Sequence, residues 1–97
     1  MYKRQLNTFS NCWLSCVQLK DINISIEEVC QKMKQKGIEV RPLWYPMNQQ
    51  KLLKNIDFYN NNISNNLFNK GLCLPSSSFL QEKELKLIIF LLKKIFL

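Results

Sequence analysis

Apolar positions along this chain change their period several times, and each change marks an element. Residues 12–19 are rich in aromatic and apolar side chains at alternate and adjacent positions, which predicts a strand buried on both sides. Asp21 to Asn23 then read as a turn. Ile26, Val29, Cys30 and Met33 recur at helical spacing, with Lys32, Lys34 and Lys36 off that stripe. Ser25 suits the N-cap, Glu28 three residues on suggests a capping box, and Gly37 suits the left-handed stop. Residues 38–43 return to a period of two, with Ile38 and Val40 on one face and Glu39 and Arg41 on the other. Pro42 places that strand at its end or at a sheet edge.

Beyond it, Pro42 and Pro46 stiffen a loop at 44–47, and 49–54 read as a short helix. Asn60, Asn61 and Asn62 predict a polar turn. Ser64 is the candidate cap of a short helix carrying Leu67 and Phe68 and closed by Gly71, before a brief buried strand at 72–74. Pro75 and three serines form a loop, and a last helix begins near Gln81. Its stripe of Leu85, Ile88, Ile89, Leu92, Ile95 and Phe96 is widened by Leu87, Phe90 and Leu91. A helix apolar nearly all round needs cover on more than one side, which implies a partner surface beyond this chain. The expected fold class is α/β, or α+β, with a small mixed sheet and helices packed on it.

Composition narrows the class of protein. The 97 residues fit one small domain or part of a larger one. At 46% hydrophobic the chain can fold, and disorder is excluded. The net charge of +7 admits an acidic partner such as nucleic acid or a diphosphate. The basic residues are scattered, however, with no run longer than a pair, which fits a solvated surface and argues against a nucleic-acid module. With four cysteines, no Cys-x-x-Cys and no histidine, no zinc site is expected. Cys12, Cys16, Cys30 and Cys73 sit among apolar neighbours and read as small buried hydrophobes of a reducing compartment. No secretory signal is visible, and Lys93 and Lys94 break the apolar tail, so no membrane span and a cytoplasmic location are expected.

Three strings carry more specific information: NCWL at 11–14, IEVRPLWYPM at 38–47 and LFNKGLCLPS at 67–76. In this order and separation they resemble the C-terminal part of the DegT/DnrJ/EryC1/StrS family of pyridoxal-phosphate-dependent nucleotide-sugar aminotransferases. The likeness runs from about Asn11 to about Ile89. It implies that 11–97 form the small C-terminal domain of a fold-type I transferase, and that 1–10 are the remnant of an upstream connection. It further implies amino transfer to a nucleotide-linked keto sugar, with pyridoxal phosphate as electron sink. The cofactor's lysine belongs to the family's large domain, and no lysine here lies in that motif. The chain is therefore expected to hold no catalytic residue and no cofactor by itself, and to work with a missing large domain or a homodimer partner. The alternatives are an interaction subunit completing a separately encoded large domain, or a small basic nucleic-acid-binding module.

Under this resemblance four residues are candidates for substrate contact. Arg41 offers a guanidinium for an anionic group, or else forms a structural ion pair. Trp44 and Tyr45 could stack on sugar or base, while Trp44 also fits a core anchor. Asn48 stands where the family has histidine, keeping a donor and an acceptor but losing acid–base capacity. Trp13 and Cys73 read as core. Lys51 replaces a proline, Ser77 replaces a glycine, with strain expected if the backbone is left-handed there, and Gln81 replaces a capping threonine.

Overall fold

A computed structural model describes residues 6–20, 23–59 and 61–96. The first strand, β1, is Ser15–Gln18, followed by helix α1, Ile26–Lys34, and a two-residue strand β2, Arg41–Pro42. Two short 3-10 turns follow, Met47–Gln49 and Lys51–Leu53, where a short helix was expected. Helix α2, Ile63–Lys70, runs directly into β3, Gly71–Leu74, and α3, Glu82–Phe96, ends the described chain.

The sheet order is β1-β3-β2, and both ladders are antiparallel. Strands β1 and β2 therefore run parallel to each other with β3 inserted between them, so the strand–helix–strand unit read from the sequence is split by the third strand. Pro42 lies on the edge strand, the position in a sheet where a residue without an N–H is tolerated.

Local signals set the helices. The Ser25 side chain accepts from the Glu28 backbone N–H at 3.1 Å. The Glu28 carboxylate, expected to reach back to Ser25, instead pairs with Lys32 one turn on at 3.1 Å. At the other end Ile38 N–H donates to the Met33 carbonyl and Gly37 N–H to the Lys34 carbonyl. With Gly37 at φ +75°, this is a Schellman closure. For α3, Glu84 Oε2 accepts from the Gln81 N–H at 2.7 Å, the half of a capping box that does not need the threonine hydroxyl, and the Glu84 N–H donates to the Gln81 carbonyl at 3.0 Å. The cap of α2 is Asn62 in the left-handed region, not Ser64, which lies inside the helix. Gly71 does not close α2 with a left-handed turn; it is extended and opens β3. The Asn60 part of the expected turn, like Asp21 and Ile22 of the first turn, lies outside the described residues.

Among the described residues six side chains form the core: Ile26, Val29 and Met33 from α1, Val40 before β2, Leu72 from β3 and Ile88 from α3. Helices α1 and α3 cover one face of the sheet. The other face carries Cys16, Cys73 and Arg41 side by side across the three strands, since Cys73 pairs with both Cys16 and Arg41. Strand β1 alternates half-buried and exposed residues, so it is covered on one side and not on two as its apolarity suggested.

The molecule exposes far more than a finished domain of its mass. Its accessible surface is 8719 Å², against about 5,800 Å² from the usual mass scaling for a folded monomer. The radius of gyration is 15.6 Å, against roughly 13 Å for a compact chain of this length. Among the described residues seventeen large hydrophobic side chains are exposed, and single exposed apolar residues are ordinary but this many is not. Among the described residues, no helix is long and apolar enough to cross a membrane.

Candidate functional site

The three strings distant in sequence meet in space. The ring of Trp13 lies against that of Trp44, centroids 5.7 Å apart and planes at 47°. Tyr45 meets Phe68 edge-on at 5.3 Å. The Ser76 hydroxyl donates to the Trp13 carbonyl at 3.0 Å, tying the serine loop to the approach to β1. Asn11 contributes locally: its side-chain oxygen accepts from the Trp13 N–H at 3.2 Å and turns the chain ahead of β1.

Two open grooves flank this junction. One, of about 440 Å³, is lined by Trp44, Tyr45, Met47, Asn48, Phe58 and Tyr59 among others. The second, of about 560 Å³, runs past Arg41, Glu39, Ser76, Ser77 and Glu84. The four candidate residues are thus divided: Trp44, Tyr45 and Asn48 share the first groove, while Arg41 faces the second.

Arg41 is engaged by Glu39 through Nε at 2.8 Å and Nη2 at 2.6 Å, both donating to the same carboxylate oxygen. Both side chains are largely in solvent, so the pair contributes little to stability. The ion pair joins residues two apart at the strand entrance, and does not bind the strand to the following loop. Asn48 is half-buried, and Tyr45 is exposed. Neighbouring Gln49 donates to the Asn65 side chain at 2.9 Å and anchors the loop to α2.

Several core assignments are overturned. Trp13 is 66% exposed and Trp44 70% exposed, so neither is a core anchor. They meet at the surface with their rings tilted against each other. Cys12 and Cys16 are exposed, and Cys30 and Cys73 only half-buried. Ser77 is not in the left-handed region, so its replacement of a glycine creates no strain; its hydroxyl accepts from the Phe79 N–H at 3.3 Å. The sequence carries no signal for the Gln49–Asn65 contact or for Phe58 and Tyr59 lining the same groove as Trp44; Tyr59 is legible in it only as an exposed aromatic. Periodicity had marked neither aromatic, because both lie in irregular chain.

A pyridoxal-phosphate site needs a lysine shielded from bulk water and a carboxylate held against the pyridine nitrogen. Every described lysine and every described acidic residue is exposed, and no charged side chain is buried. The described residues do not fit the cofactor.

No family model matches the chain. It is 35% identical over 91 residues to a protein of Bacillus subtilis (strain 168) described as "Putative pyridoxal phosphate-dependent aminotransferase EpsN". The alignment covers 90% of this chain and 23% of that relative. The chain is thus related to an aminotransferase and spans about a quarter of the relative's length.

Proposed function

We propose that these residues are the small C-terminal domain of a cytoplasmic DegT/DnrJ/EryC1/StrS-type aminotransferase for nucleotide-linked keto sugars, acting in amino-sugar synthesis for cell-surface polysaccharide. The observation that carries this reading is the combination of a relative's identity along nearly the whole chain with a surface left uncovered by its own fold. The cofactor lysine and its carboxylate partner come from a large domain outside these residues. The Trp44–Tyr45–Asn48 groove faces the nucleotide sugar, with the flat rings stacking and Asn48 hydrogen bonding. Arg41 exchanges Glu39 for an anionic group of the substrate or of the large domain when the two close.

The test joins this chain to a large domain carrying the lysine, in one polypeptide or by co-expression. The joined protein is expected to show the cofactor's bound absorbance and to move an amino group from glutamate to a nucleotide-linked keto sugar. The 97 residues alone are expected to do neither. A purified sample of the chain alone that bound the cofactor through a lysine and transaminated would overturn the proposal.

A further inference from the structure

The proposed function leaves Cys16 and Cys73 unused. They are direct partners across the β1–β3 ladder, and their sulfur atoms are 3.6 Å apart. Cys16 is exposed to solvent, while Cys73 is half-buried on the central strand. The other two cysteines stand elsewhere: Cys12 contacts the Ser10 carbonyl in the chain before β1, and Cys30 lies on α1, against the opposite face of the sheet. We propose that Cys16 and Cys73 form a reversible thiol-oxidation site on the outer face of the sheet, closed to a disulfide by a hydroperoxide.

The geometry favours closure. Directly opposite residues of an antiparallel ladder hold their Cβ atoms roughly 4.5–5.5 Å apart, and a disulfide needs about 3.5–4.5 Å. Small side-chain rotations and a slight approach of the strands bring the sulfurs together. Burial, and then the hydrogen bond with Cys16, push the Cys73 thiol up to about 11, so Cys73 keeps its proton at neutral pH. Exposed Cys16 is the sulfur that meets the oxidant. It attacks the peroxide oxygen, the O–O bond breaks, and the products are a sulfenic acid at Cys16 and one water or alcohol. The Cys73 sulfur then displaces hydroxide from the Cys16 sulfur, and the Cys73 proton leaves with it as water. Two thiols are oxidised and one peroxide reduced. The new bond lies beside Arg41, the neighbour of Cys73 on the other strand.

The test treats the folded chain with hydrogen peroxide and maps the products by proteolysis and mass spectrometry. A Cys16–Cys73 cross-link is expected, with the loss of two hydrogens, reversed by dithiothreitol. It should disappear in Cys16→Ser and persist in the Cys12→Ser, Cys30→Ser double variant. The oxidised chain is expected to melt about 5 °C or more higher, as a tie across a long loop predicts. A Cys12–Cys16 link, the short loop that an unfolded chain would close first, overturns the proposal. So does oxidation of Cys16 to a sulfinic acid with Cys73 still free, or linkage only between molecules. All three readouts use this chain alone, so they stand or fall separately from the aminotransferase reading.

Discussion

Trp13 and Trp44 pack ring against ring at 5.7 Å while each keeps about two-thirds of its surface in water. Aromatic pairs of this kind contribute about 0.5–1.5 kcal/mol beyond area burial, and this one spends most of its apolar surface on solvent. On the proposed function this exposed pair is a candidate contact for the large domain, since tryptophan is enriched at binding hot spots. Trp44→Ala is therefore expected to cost the isolated chain only about 1 kcal/mol. It should weaken docking to a large domain by on the order of 2 kcal/mol, about thirtyfold. Urea melts and a titration of the two parts measure both, and tryptophan emission should shift to shorter wavelength on docking.

Arg41→Ala separates structure from substrate contact. The Arg41–Glu39 pair is exposed, so its loss should change stability by less than about 0.5 kcal/mol. In the joined enzyme the same change is expected to raise KM for the nucleotide sugar at least tenfold if Arg41 meets an anionic group. An unchanged KM would confine Arg41 to the surface pair.

Ile88 and Ile89 are adjacent on α3 and differ in surroundings, at 6% and 52% exposure. Ile88→Val should cost about 0.5–1.5 kcal/mol as a core truncation. Ile89→Val should be almost silent in the isolated chain. Denaturant midpoints of the two variants, measured side by side, check the direction in which α3 faces its own core.

Gly71 has no room for a side chain. An added Cβ would overlap the Leu43 side chain and the Leu67 backbone carbonyl. Gly71→Ala should destabilise the fold by about 1–3 kcal/mol or more through overpacking. Adding Leu43→Ala should recover only part of it, because the Leu67 carbonyl cannot move away cheaply.

Cys73 links stability to alkaline pH. Its folded pKa lies above that of a free thiol, chiefly through burial. Below pH 9 the thiol is protonated in both states, and its contribution is complete. As pH rises from about 9 towards 11 the unfolded chain ionises first, so stability falls. Thermal melts under reducing conditions should show a steeper alkaline loss for wild type than for Cys73→Ala.

Much of this was legible in the sequence because it is decided locally. Ser25 and Gly37 bound α1 through caps made within a few residues, and the apolar spacing after Gln81 located α3. The strands were less legible. Residues 12–19 are apolar enough for a doubly covered strand, but only Ser15–Gln18 finds a ladder partner, and on one side only. Apolarity states that a surface prefers cover; it does not state which chain supplies it.

The amino-acid order by itself determined the limits of α1, the start of α3, the edge position of Pro42 and the kinship to an aminotransferase, since these rest on capping, backbone restriction and side-chain identity at fixed spacing. Tertiary structure alone decided that β3 lies between β1 and β2, which sets Cys16 and Arg41 on either side of Cys73. It also sent Arg41 to one groove and Trp44, Tyr45 and Asn48 to another. The reason is that strand order and register come from pairing between distant segments, where shifting a strand by a single residue turns every side chain to the opposite face.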